Sequence, residues 1–215
     1  MGLRIIYGKP GSGKSQFCFS EIAKLIDKKE SIFIITPEQF SFTAERKLME
    51  AVNKNAVINA EVITLTRMAY RVLNDIGGEI KQSLSKCGKA MLVYSILNKY
   101  KKELEFLGKS DENIDLVIRT ITEFKKHGIT INNLKDEMEK TQDAYLKTKL
   151  SDMILLYENF ENKIVDNYID DTDLLTILAK HLDEVEFIKN SIIYIDEFAG
   201  FTYQEYQVIK ELIKQ

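Results

Sequence analysis

Apolar residues fall along this chain in two rhythms. In the first, four short runs are nearly continuous: Leu3–Tyr7, Ser31–Thr36, Glu61–Thr64 and Ser191–Ile195. Runs of this length, rich in Ile, Val and aromatics, predict strands buried on both faces of a sheet. Between the first two, Cys18, Ile22, Leu25 and Ile26 recur at helical spacing, with Lys24 and Lys28 at other positions. That spacing predicts an amphipathic helix. Strand, helix and strand in that order make a βαβ unit, so the first two strands are expected to be parallel. The second rhythm holds from about residue 85 to 185, where Ile114, Val117, Ile118 and Ile121, then Leu150, Met153, Ile154, Tyr157 and Ile164, repeat at helical intervals. No strand is expected there. The pattern predicts an α/β core over 1–84 and 186–215, a parallel sheet flanked by helices. An all-helical insertion over 85–185 separates its third strand from its fourth.

Composition narrows the class. The 215 residues are 45% hydrophobic and 29% charged with a net charge of −3, the balance of a soluble globular protein. Two prolines and ten glycines leave little room for linkers. No apolar run approaches the roughly 18 residues of a membrane span, and the chain enters its first apolar run without a leader pattern. Cys18 and Cys87 are too few for a disulfide framework or a four-cysteine metal site. A cytoplasmic protein is expected, with no membrane contact. Charge is uneven, however. Residues 151–197 hold twelve acids and three bases, while 1–150 carry an excess of bases. An acidic block repels phosphate, so any DNA contact is expected in the first two thirds.

The chemistry concentrates in one motif. Gly8-Lys9-Pro10-Gly11-Ser12-Gly13-Lys14-Ser15 fits G-x-x-x-x-G-K-[ST] between an expected strand and an expected helix, the context in which this P-loop motif has meaning. Glycines let backbone N–H groups converge on phosphate oxygens, and the helix N-terminus adds its positive end. In such a loop Lys14 reaches the β- and γ-phosphates of ATP, and the Ser15 hydroxyl joins the Mg²⁺ shell. A carboxylate is then expected at the end of another buried strand, the Walker B strand. The run Ser191–Ile195 leads into Asp196 and Glu197; Asp196 would hold Mg²⁺ through water, and Glu197 would polarise the attacking water.

Other residues carry weaker signals. Glu38 and Gln39 follow the second strand, on the side where ligands gather in open α/β sheets. They would touch nucleotide or DNA, or cap the helix after Pro37. His127 and His181 lack metal-ligand spacing and are expected on helix surfaces, whereas Cys18, Phe17, Phe19 and Phe33 are expected in the core.

The P-loop, then Thr36-Pro37-Glu38-Gln39-Phe40, then Val62–Leu73, a helical insertion and Asp196-Glu197 together resemble the first RecA-like domain of UvrD-type helicases. Tyr168-Ile169-Asp170-Asp171-Thr172-Asp173-Leu174-Leu175 is similar to the acidic segment such helicases carry before their second motif. More specifically, Leu3-Arg4-Ile5-Ile6-Tyr7-Gly8, Pro37-Glu38-Gln39-Phe40 and Leu84-Ser85-Lys86-Cys87-Gly88-Lys89-Ala90-Met91 resemble the AddB family, the B subunits of bacterial AddAB helicase–nucleases. The resemblance spans essentially the whole chain. It implies a RecA-like fold, ATP and Mg²⁺ as ligands, an AddA-like motor subunit as partner, and DNA bound by the full complex in repair and recombination. It also implies a longer protein whose nuclease domain holds an iron–sulfur cluster on four cysteines that this chain does not supply. These residues are therefore expected to be an N-terminal piece.

One departure bears on activity. UvrD-type motors continue the acidic pair with Gln-Asp, whereas Phe198-Ala199-Gly200 follows here. The family pattern then implies ATP binding with weak or no hydrolysis. The alternatives are an active motor domain, favoured by Lys14, Ser15, Asp196 and Glu197, and a small-molecule kinase. A kinase needs an Arg-rich lid, and Arg119 is the only arginine of the insertion.

Overall fold

A computed structural model describes residues 2–28, 30–54, 56–77, 81–107, 113–165 and 168–215. In chain order the main elements are α1 (Lys14–Leu25), β1 (Ile32–Ile35), α2 (Ser41–Val52), β2 (Ala60–Ile63), α3 (Leu65–Asp75), β3 (Gln82–Ser83), α4 (Lys86–Lys99) and α5 (Ile114–Lys126). They continue with α6 (Ile131–Lys140), α7 (Ala144–Ile164), β4 (Tyr168–Ile169), α8 (Leu174–His181), β5 (Ile192–Ile195) and α9 (Tyr203–Lys214). The chain divides into two compact units, Met1–Gly78 with Leu175–Gln215, and Glu79–Leu174.

The first unit is mixed α/β. Its sheet has the order β2-β1-β5, parallel throughout. β1 is the central strand and its four residues are all buried, which explains why Ile32–Ile35 reads as a continuous apolar run. Ile32 and Ile34 face a cluster with Ile22 and Ile26 of the α1 segment, Ala44 and Leu48 of α2, and Ala60 and Val62 of β2. Each fully buried Ile contributes about 1.5–3 kcal/mol. Phe33 instead meets Phe187 edge-on at 5.9 Å, and the Arg71 guanidinium lies over both rings at 5.5 and 4.4 Å. Glu61 holds that guanidinium from the side at 2.6 Å.

Two strand expectations need correction. Leu3–Tyr7 is not a strand. It lies on the surface without regular structure, with Leu3, Ile5 and Tyr7 exposed by 66, 73 and 91%. Apolar character supplies strand propensity, but a strand exists only where a neighbour takes up its ladder of hydrogen bonds, and Leu3–Tyr7 joins neither sheet. The observed parallel βαβ unit is therefore β1–α2–β2. Arg4 ties the N-terminal segment to α1 instead, through Glu21 at 2.7 Å and the Phe17 ring at 5.2 Å. That contact leaves Phe17 on the surface, 46% exposed, rather than in the core. Cys18 is only half-buried, while Phe19 and Phe33 are core residues as expected. The second correction concerns β5, which lies at the sheet edge, half-buried over Ile192–Tyr194 and exposed at Ile195, not buried on both faces.

The second unit is helical, with one exception. Gln82 and Ser83 pair in parallel with Tyr168 and Ile169, and Leu84 N–H extends the bridge to Ile169 O at 2.9 Å. The stretch 85–185 is thus not free of strands. Pairing of β3 with β4 ties Gln82 and Ser83 to this unit, and the chain returns to the first unit at Leu175. The junctions thus fall ahead of 85 and 186. Val117 and Ile121 of α5, and Met153, Ile154, Tyr157 and Ile164 of α7, form the buried stripe that the helical spacing predicts. Asp152 is buried within α7 and accepts the backbone N–H groups of Glu105, Phe106 and Leu107 at 3.2, 2.8 and 2.8 Å. It thereby satisfies a turn that would otherwise bury open donors. No helix among the described residues is long and apolar enough to cross a membrane.

Candidate functional site

Parallel register sets up the site. Ile35 pairs with Ile63 on one side and Ile195 on the other, so Thr36, Thr64 and Asp196 emerge at the same level, at the carboxyl ends of three neighbouring strands. The ladder continues into them: Thr36 N–H donates to Ile63 O at 3.2 Å and Asp196 N–H to Ile35 O at 3.1 Å. A cleft of about 950 Å³ opens there. It is lined by Pro10–Gln16, Thr36–Phe40, Thr64–Thr66 and Asp196–Gly200, with Leu175 and Glu205.

The glycine loop forms one wall. Gly11 and Gly13 have φ of +75° and +83°, left-handed values that glycine adopts at little cost. A Cβ at Gly8 would stand 2.8 Å from Ser12 Oγ, so a side chain there would make the Ser12 hydroxyl turn away. Lys14 Nζ donates to Gly8 O at 3.1 Å and to Lys9 O at 3.0 Å, and the loop curls around its own ammonium group. Gly13 is the N-cap of α1 and no side chain caps that end. First-turn N–H groups have no partner inside a helix, and the residues that carry them here, Lys14 and Ser15, line the cleft. Gly8 and Lys9 do not line the cleft; they hold Lys14. Pro10, Gly11, Ser12, Gly13, Lys14 and Ser15 do line it, and Glu38, Gln39, Asp196 and Glu197 join them.

Across from the loop, Thr36 is 1% exposed and its Oγ1 has no hydrogen-bond partner among the described residues. A buried unpaired hydroxyl costs about 1–3 kcal/mol. Thr36 is also one of the residues that line the cleft. Thr64, in contrast, is used locally, capping α3 by accepting the Arg67 N–H at 3.2 Å. Glu38 and Gln39 form a short 3-10 turn ahead of α2, and Glu38 O accepts the Ser41 hydroxyl at 2.9 Å. Glu197 has φ of +64°, a strained backbone for a side chain of its size, and its Oε1 is 3.1 Å from Lys47 Nζ on α2. Burial raises the Cys18 thiol above its ordinary value, and the carboxylates of Asp196 and Glu21 add to the rise. Tyr194 is likewise pushed up to about 12, first by burial and then by Glu21.

The sequence pattern missed Thr36, Thr64 and Lys47 as site residues. A signal existed for the threonines, since each is the first polar residue after a buried apolar strand. Lys47 had none, because it meets Glu197 across 150 positions of sequence.

The acidic segment after β4 does not join this cleft. Asp170 is 1% exposed and pairs with Lys89 and, at 3.4 Å, with Lys125. Lys125 Nζ also lies 2.7 Å from Asp173 and 2.7 Å from Glu161. Burial works against the Lys125 ammonium, but Asp173, Glu161 and Asp170 outweigh it and raise its pKa. Burial raises Glu161 and Asp173, with Lys125 only partly offsetting it. Asp170 goes the other way: burial is outweighed by the Lys125 charge and by the hydrogen bond from Lys89, and its pKa falls. His127 is exposed beside Glu123, and the half-buried His181 faces Glu184 at 2.8 Å.

A cleft with backbone donors and an ammonium group on one wall, and hydroxyl and carboxylate oxygens on the other, is suited to a phosphate-bearing ligand with its cation. Comparison with known proteins makes the family explicit. The family model described as ADDB, N-terminal, matches residues 5–215, and the chain belongs to that family. It is similar to the B subunit of the ATP-dependent helicase/deoxyribonuclease of Clostridium tetani, 40% identical over 221 residues that cover 99% of this chain and 19% of the relative. The proteins of the same name from Clostridium acetobutylicum and Clostridium botulinum (strain Loch Maree / Type A3) are 36% and 38% identical, again over 19% of their length. The chain therefore spans about a fifth of the curated relatives it matches, and it corresponds to the AddB N-terminal region.

Proposed function

We propose that this chain is the nucleotide-binding, helicase-like part of the B subunit of a bacterial ATP-dependent helicase–nuclease, acting in the cytoplasm in double-strand break repair and recombination. Its first unit is a RecA-like P-loop core that holds ATP·Mg²⁺ and turns it over weakly or not at all. DNA recognition and cleavage belong to the full complex with an AddA-like subunit, and any iron–sulfur cluster belongs to the remainder of the protein. The observation that carries the reading is the convergence of the glycine loop, the orphaned Thr36 hydroxyl and Asp196 on one cleft at the carboxyl end of a parallel sheet.

The roles follow from charge and geometry. Donors of the Gly8–Ser15 loop take phosphate oxygens, and Lys14 exchanges its two carbonyl partners for them. Charge-assisted bonds are stronger than neutral ones, which drives that exchange. Ser15 and Asp196 would hold Mg²⁺, an ion bound through one or two protein oxygens together with phosphates. Bound Mg²⁺ supplies charge neutralisation at the phosphates. Glu38 and Gln39, on the cleft rim, are the candidates for a nucleotide or DNA contact.

Calorimetry with ATP·Mg²⁺ tests the reading. Lys14→Ala is expected to weaken binding by about tenfold or more. Equal affinity in the two proteins, or no binding to either, would sink the idea. Asp196 and Glu197 together on the cleft favour the second reading, an active motor domain. DNA-stimulated turnover of about 1 per second or more without a partner subunit would select it.

A further inference from the structure

Among the described residues, Glu197 is the one carboxylate on the cleft wall that the structure ties to a distant cation. It stands directly after Asp196 in a left-handed backbone conformation, φ +64°, which glycine would adopt freely and glutamate does not. That conformation turns its side chain to Lys47 on α2, with Oε1 and Nζ 3.1 Å apart. Both side chains are about one third exposed, 33% and 37%, so the pair is open to exchange rather than locked in the core. α2 follows immediately on the Glu38–Phe40 turn, which lines the same cleft. The cation that engages Glu197 is therefore carried by the element whose entry forms part of the cleft wall.

We infer that Lys47 is a positioning residue that keeps Glu197 paired, so that the cleft retains ATP instead of consuming it. The inference rests on the nucleotide-binding reading above and adds the regulation of that site. Hydrolysis requires water oxygen to bond to the terminal phosphorus while the bond from that phosphorus to the bridging oxygen breaks. ADP leaves with the electron pair, and the water gives a proton to a carboxylate. Glu197 is the candidate acceptor, and general-base assistance of this kind is worth about 10²–10⁴ in rate. A carboxylate whose oxygen is held by an ammonium group on α2 has that oxygen occupied and is not presented to the water. The same pairing cancels a negative charge next to the place of the terminal phosphate, which favours ATP over ADP.

The test compares wild type, Lys47→Met, Lys47→Arg and Lys47→Met/Glu197→Gln in the full-length protein, purified without its partner subunit. Calorimetry gives the affinities for ATP and ADP, and rapid gel filtration gives the lifetime of prebound radiolabelled ATP. Lys47→Met is expected to lower the ATP-to-ADP affinity ratio roughly three- to fivefold, the scale of an exposed ion pair. It should also shorten the life of bound ATP by about tenfold or more. Lys47→Arg should match wild type, and Glu197→Gln in the double variant should restore both quantities. A Lys47→Met protein that binds ATP but keeps it as long as wild type overturns the inference, whatever its affinity ratio. If wild type binds no nucleotide, the nucleotide-binding reading itself fails. Should Lys47→Met fail to fold, Glu197→Gln alone decides. Its lifetime for bound ATP should equal that of wild type, and a clearly longer one means Glu197 was never held off.

Discussion

Two short parallel strands in this chain run straight into paired acids, and the first acids of the two pairs, Asp170 and Asp196, have opposite fates. After β4, Asp170 is sealed from solvent between Lys89 and Lys125, and Asp173 and Glu161 share the second of these lysines. After β5, Asp196 is half-buried on the wall of a large cleft, and a buried threonine hydroxyl nearby has no partner among the described residues. Strand and acids are much the same in the two places; the cations packed around them differ. Where two lysines close over an acid that is itself buried, as over Asp170, the acid becomes internal structure and cannot serve a ligand. Where no such cation among the described residues reaches Asp196, polar oxygens are left open at a cost in stability. That cost makes sense where a ligand repays it.

The largest expected effect is on the closed side of this contrast. Lys125→Ala leaves the buried Asp170 and the half-buried Asp173 and Glu161 without their shared cation, and should destabilise Glu79–Leu174 by about 3 kcal/mol, the low end for a broken buried pair because Lys89 stays on Asp170. Chemical denaturation followed by a probe in this unit measures it; a loss below about 1 kcal/mol would mean that the acids do not depend on Lys125. Alkaline pH should act in the same direction more gradually. Lys125 and Tyr157 both hold their protons more tightly folded than unfolded, Tyr157 being pushed up to about 12 by burial first and then by Glu161. Groups raised in the folded state contribute stability below their ordinary values and lose it as pH rises through the folded ones. Melting temperatures should therefore fall as pH climbs from about 10 toward 12, with a shallower fall in Lys125→Met. The smallest effect is on the open side. Thr36→Val removes an orphaned buried hydroxyl at nearly constant shape, and should stabilise the ligand-free protein by about 1 kcal/mol while weakening nucleotide binding. A loss of stability would show instead that the hydroxyl has a partner, and would blur the contrast between the two acid pairs.

Much of the site was legible locally. The glycine loop is eight contiguous residues whose backbone demands are written in Gly11 and Gly13. Asp196 was legible as the first acid after an apolar run. The helices α5 and α7 were equally plain from their spacing, because a helix repeats its buried face within a few residues. Leu3–Tyr7 misled for the opposite reason. Its composition states a preference for extended backbone, while strand formation depends on who stands beside it. The β3–β4 bridge was illegible because two residues on each side are too short to leave a pattern, and their partners are more than eighty positions apart.

By itself, then, the sequence determined what depends on neighbours along the chain: the loop, the helix faces, the three apolar strands and the acids that end them. Only the tertiary structure decided which acids would be neutralised and which left open. Lys125 and Lys47 reach their carboxylates across 48 and 150 positions. An ion pair is set by distance in space and by the water excluded around it, and neither quantity is carried by local order in the chain.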